Sequence, residues 1–157
     1  MTDLDIISTL LSELEQLTAA PACRLLVSCP SGWVVVRSYT PANRLLIEFA
    51  SNTHLAEEHQ LTTDQISLLS SHGYQPRRKG RSIGKMLTVQ TANDKLALAN
   101  ELNHLLRECF SATDFATQFT EDALPKIRNS ELLGTMRQLS IQRTHELRLE
   151  LYRKLLN

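Results

Sequence analysis

An α+β fold built on an antiparallel sheet is the architecture this chain predicts, and three observations carry it. Three apolar runs of strand length, "CRLLVSC" (23–29), "WVVVRSY" (33–39) and "RLLIEFA" (44–50), follow one another with only "PSG" and "TPAN" between them. Pro, Gly and Asn are the residues that tight turns use, so the runs read as a meander. Helical periodicity precedes them and returns after them, and a fourth strand-like run, "KMLTVQ" (85–90), sits between two helical segments.

Residues 3–18 place Leu4, Ile7, Leu11 and Leu14 at spacings of three and four, with Leu10 and Leu17 widening the stripe; this is an amphipathic helix. Pro21 ends it. In the meander, side chains two apart share a face. Cys23, Leu25, Val27, Val34, Val36, Leu45, Ile47 and Phe49 fall on the face that suits a core. The other face holds Arg24, Leu26, Ser28, Trp33, Val35, Arg37, Tyr39, Leu46 and Glu48. That mixed face is either solvated surface with scattered apolar groups or, through Trp33, Val35, Tyr39 and Leu46, a contiguous patch of the kind that binds something.

The segment "LTTDQISLLSSHGY" (61–74) specifies a helix at both ends. Thr62 as N-cap with Gln65 three residues on forms a capping box, and Leu61 is placed to staple against Ile66. Gly73 suits the left-handed position after the last turn, with Leu69 and Tyr74 set for the apolar contact of a Schellman motif, and Pro76 prevents resumption. Residues 93–110 predict a further helix, capped by Thr91 or Asn93, with Leu98, Leu102, Leu105 and Cys109 on one stripe; Cys109 is thus a core residue. In the linker "SATDFATQFTEDALP", Phe115 and Phe119 lie four apart, which suggests a helical turn or a packed loop. Residues 127–156 return to helix, with Leu132, Leu133, Met136 and Leu139 on one stripe and Leu147, Leu151 and Leu155 on a second. The predicted organisation is an α+β domain over 1–112 and a helical extension over 113–157, packed on the domain or on a second subunit.

The chain has 17 Lys plus Arg and 17 Asp plus Glu, for a formal net charge of zero. Arg77, Arg78, Lys79, Arg81 and Lys85 nevertheless fall within nine residues without an intervening acid, so any positive field is local. This stretch is not a nucleotide loop. Only three residues separate Gly80 from Gly84 in "GRSIGKM", Met86 follows Lys85 where a magnesium-binding hydroxyl belongs, and the stretch leads into a strand. It also lacks an aromatic between its charges on which a base could stack. The five histidines match no metal-ligand spacing, and no activated Ser or Cys motif occurs. No enzyme activity, cofactor or metal is expected. Three cysteines on apolar runs suit free buried thiols. No stretch is long enough to span a membrane, and the acidic amphipathic N-terminus does not read as a signal peptide; a cytoplasmic location is expected.

The order helix, meander, capped helix, strand, helix resembles the small bacterial domains built like type III secretion chaperones, including the YbjN-like and tetherin-like peptide-binding chaperones. The resemblance is carried by "LTTDQISLLSSHGYQP": Leu61 and Thr62 opening a helix, Leu69 near its end, then Gly73, Tyr74 and Pro76. It covers about residues 3–110; the aromatic after the glycine, often Trp in that group, is Tyr74 here. It implies an α+β fold, often dimeric, that binds peptide or protein segments without catalysis. The expected function is therefore a peptide- or protein-binding domain acting through Trp33, Val35, Tyr39 and Leu46, as a homodimer. The alternative is a nucleic-acid or anionic-ligand module acting through Arg77, Arg78, Lys79, Arg81 and Lys85, although nucleic acid is not the expected partner.

Overall fold

The computed structural model describes residues 2–39, 41–121 and 152–155. Its elements run α1 (Asp3–Thr18), β1 (Cys23–Cys29), β2 (Gly32–Ser38), β3 (Arg44–Ala50), α2 (Thr63–Ser71), β4 (Gln75–Arg77), β5 (Ser82–Thr88), α3 (Ala92–Phe110) and β6 (Ala116–Glu121). The six strands form one antiparallel sheet in the order β4-β5-β3-β2-β1-β6. The fold is α+β, as the run of strands and helices predicts. The meander supplies the centre, and the β4–β5 hairpin adds to the free edge of β3. α1 and α3 pack against each other over one sheet face.

That inner face is the predicted one. Leu25, Val27, Val34, Val36, Leu45, Ile47 and Phe49 are fully buried and meet Leu10, Leu14 and Leu17 of α1 and Leu98, Leu102, Leu105 and Leu106 of α3. The phase of α1 differs from the expected stripe. Ile6, Leu10, Leu14 and Leu17 are buried, Ile7 and Leu11 are only partly so, and Leu4 is 78% exposed. Apolar residues cover so much of this helix that the 3.6-residue period identifies a helix without selecting its inward side.

Local chemistry sets the helix ends. Thr62 and Gln65 form the predicted capping box, and α3 is capped by Thr91 with Asp94. At the end of α2, the Tyr74 amide donates to the Leu69 carbonyl at 3.1 Å and the Gly73 amide to the Ser70 carbonyl at 2.9 Å, the paired bonds of a Schellman turn. Gly73 has φ +89°. Gly73→Ala is expected to cost about 1 kcal/mol, read as a lower denaturant midpoint. The nearest atom to an added Cβ is Lys85 Cδ at 3.6 Å, an ordinary contact, so the loss measures backbone strain alone; an unchanged midpoint would show that this position tolerates a side chain.

Two segments depart from the expectation. The basic stretch is not a simple connector into a strand at residue 85: Gln75–Arg77 pair with Ser82–Gly84 as a hairpin, and β5 begins at Ser82. Residues 116–121 are not a helical turn but β6, paired with β1 from Ala116↔Ser28 to Glu121↔Cys23. The start of the expected helical extension at 113 therefore contributes the sixth strand of the sheet. A spacing of four satisfies a strand as well as a helix, because positions i, i+2 and i+4 share a sheet face; Phe115 and Phe119 both pack against the core. The predicted helix over 127–156 lies outside the described residues except for 152–155, which are helical, with Tyr152 buried and Leu155 exposed.

Candidate functional site

On the sheet face opposite the helices, a charged side chain organises the surface. Glu48 lies mid-strand on β3, opposite Val35 of β2 and Gly84 of β5, and it is buried. Arg78 grips it with two bonds, Nε to Oε2 at 3.1 Å and Nη2 to Oε1 at 3.3 Å. Ser82 Oγ donates to Oε2 at 2.5 Å. A buried carboxylate needs such partners, since desolvation otherwise disfavours its charge. The bonds tie the hairpin to the sheet, and Thr53 Oγ1 adds a longer contact to the Gly80 carbonyl at 3.4 Å.

Between the hairpin and the sheet opens a cleft of about 560 Å³, within the size range of small-ligand sites. Trp33, Val35, Glu48 and Ser82 line its sheet side, and Arg37, Arg78, Lys79 and Arg81 supply cations, with His54 beside them. The Trp33 and His54 rings are 6.1 Å apart. Arg37 Nε is buried without a hydrogen-bond partner among the described residues. Among the described residues that line the cleft, four Arg and Lys side chains stand with one carboxylate, although the whole chain is neutral. Arg78, Lys79 and Gly80 all have positive φ, at 52°, 58° and 84°. Left-handed backbone costs a residue with a side chain about 1–2 kcal/mol, so this turn presents its two cations at an energetic cost.

The structure divides the two predicted residue sets. Trp33 and Val35 line the cleft. Tyr39, beyond the end of β2, is 36% exposed and does not line it, while Leu46 is only 3% exposed and is not available as an open anchor. Arg78, Lys79 and Arg81 line the same cleft. Arg77 runs along β4, its stem close to Gly84. Lys85 faces the helices, because pairing with Ile47 puts it on the inner face. Arg37, Glu48, His54 and Ser82 belong to the site without having been singled out. Arg37 and Glu48 did carry a signal, as charges that follow directly on apolar runs, Val34–Val36 and Leu45–Ile47.

Lys85 belongs to a second polar cluster. Its Nζ lies 2.9 Å from Glu101 Oε2, donates to the His72 carbonyl at 2.8 Å, and stands 4.5 Å from the Tyr74 ring centroid. Tyr74 donates to Glu101 at 2.8 Å, and His72 Nδ1 is 3.1 Å from the same carboxylate. Burial opposes the Glu101 charge, yet bonds from Lys85 and Tyr74 and the nearby ammonium hold its carboxyl below the usual range. Burial, then the Glu101 charge, pushes the Tyr74 phenol far up, so it remains a donor. This network joins the end of α2 to β5 and α3. Burial and the Glu108 charge raise the Cys109 thiol to about 11, leaving it protonated at neutral pH.

An antiparallel α+β domain, with α1 and α3 on one sheet face and a cationic cleft on the other, is the class that fold and site define. No family model, curated protein or solved structure matches the chain. Among the described residues no helix is long and apolar enough to cross a membrane, and no three His, Cys, Asp or Glu side chains are grouped to hold a metal ion.

Proposed function

We propose that this protein is a non-enzymatic binding module whose outer-face cleft takes an acidic segment of a protein partner. The observation that supports this reading is the convergence of Trp33 and Val35 with Arg37, Arg78, Lys79 and Arg81 in one cleft. The apolar side chains offer anchoring area and the cations select charge, a division of labour seen in peptide recognition. Three free cysteines suit a reducing compartment. The likeness to secretion chaperones, carried by the cap residues 61–76, points to the same class. A nucleic-acid module is the second reading, favoured by the same cations, but one tryptophan and one focus of charge do not form the track of stacking platforms that a strand follows.

Trp33 is the only tryptophan, so its emission reports binding without a label. A glutamate-rich peptide bearing leucines is expected to shift that emission saturably. Lys79→Glu combined with Arg81→Glu should weaken binding about tenfold or more. Both residues are exposed, and no hydrogen bond of either side chain ties the fold together among the described residues, so folding should be retained. Equal affinity in the charge-reversed protein would sink the cleft as the site. A single-stranded oligonucleotide that bound more tightly, with a steep fall in affinity as salt rises, would move the assignment to nucleic acid.

A further inference from the structure

We infer that the group seated among the cleft cations is a phosphomonoester on the partner, so that the module reads a phosphorylated side chain. This rests on the acidic-segment reading above and narrows it. Glu48 already holds Nε and Nη2 of Arg78, which fixes the guanidinium plane and leaves its remaining edge for a ligand. Arg37 Nε is buried and has no acceptor among the described residues, and buried donors in native structures nearly always have one. Lys79 and Arg81 face the same space without a carboxylate partner among the described residues.

Among the described residues of the cleft, the four Arg and Lys side chains set against Glu48 leave a surplus of three positive charges. A carboxylate side chain brings one negative charge and two oxygens. A phosphomonoester brings about −1.5 to −2 and three strong acceptor oxygens, which meets this surplus more fully. The composition agrees: among the described residues of the cleft arginine outnumbers lysine three to one, and the planar guanidinium fork matches phosphate in a way an ammonium does not. Glu48 acts as the positioning residue, an internal anion that aims Arg78.

The test compares three synthetic peptides of one sequence that differ only at a central phosphoserine, glutamate or serine, titrated against the full chain by Trp33 emission. Inorganic phosphate and a single-stranded oligonucleotide serve as competitors. The phosphoserine peptide is expected to bind about tenfold more tightly than the glutamate peptide. Arg37→Lys, which keeps the charge and removes the fork, should weaken binding of the phosphoserine peptide more than binding of the glutamate peptide and so narrow the preference between them. Equal affinity for the phosphoserine and glutamate peptides would overturn the phosphate inference and leave the acidic-segment reading standing. Binding of neither would overturn both. Displacement of the phosphopeptide by equimolar inorganic phosphate would reassign the cleft to a small phosphate ligand, and displacement by the oligonucleotide would reassign it to nucleic acid; each overturns the inference.

Discussion

Replacing Glu101 with Ala is expected to destabilise the folded chain by about 2–3 kcal/mol at neutral pH. The Lys85 and Glu101 side chains are only 17% and 19% exposed, so the lysine would be left mostly buried without its carboxylate. The full cost of breaking a buried pair, about 3–5 kcal/mol, is not reached, because Lys85 keeps the His72 carbonyl and the Tyr74 ring. The buried Tyr74 hydroxyl would lose its acceptor as well. The effect depends on pH with a definite sign. Glu101 has a folded pKa below its ordinary 4.5, so its contribution is present above that value and is lost as pH falls through the lowered one. In denaturant titrations, the gap between wild type and Glu101→Gln should narrow on acidification below 4.5. A gap that persisted unchanged in acid would show that the charged network contributes nothing.

Thr62, Gln65, Gly73 and Pro76 were legible in sequence because each acts on backbone groups within a few residues of itself. The inner sheet face was legible for a related reason: alternation assigns sides once a run is recognised as a strand. Phase and pairing are different kinds of information. Leu4 and Leu14 satisfy the same helical period, yet one is solvated and the other buried, since the choice is made by contacts between α1 and α3 that no local window contains. Phe115 and Phe119 satisfied two periods at once, and the pairing of β6 with β1 decided between them.

The candidate site was only half legible for the same reason. Trp33 and Val35 belonged to the mixed face, and Arg78, Lys79 and Arg81 to the basic stretch, as two separate readings. Their union depends on the Arg78–Glu48 contact across 30 residues and on the β3–β5 register. Lys85 shows the cost of misplacing one strand start. Once β5 begins at Ser82, alternation puts Lys85 on the opposite face from Ser82's neighbours in the cleft. Two residues of the basic stretch thus lie outside the cleft, Arg77 on β4 and Lys85 under the helices.

Gly84→Val is expected to destabilise the protein by about 3 kcal/mol and to abolish cleft binding with it. In "GRSIGK" this glycine suggested a phosphate loop of the wrong spacing; in the sheet it has a steric task. A Cβ at Gly84 would stand 2.6 Å from the Ile47 carbonyl oxygen, 3.0 Å from Arg77 Cδ and 3.1 Å from Glu48 Cγ. The first of these is backbone and can move only if β3 and β5 separate, which costs far more than a rotamer change. A glycine inside a strand commonly marks such a close approach. The other two contacts are the stem of Arg77 and the root of Glu48, so a side chain there would push on the hairpin that carries Arg78 as well as on the carboxylate that aims it. Gly84→Ala should show the same defects in smaller measure, about 1–2 kcal/mol. Denaturant midpoints measure the stability loss, and amide exchange in β5 locates it, with faster exchange expected from Ser82 to Leu87. A Gly84→Val protein with wild-type stability and unchanged affinity for the anionic peptide would mean that the sheet yields here at no cost, and that the cleft does not depend on the seating of the hairpin against β3.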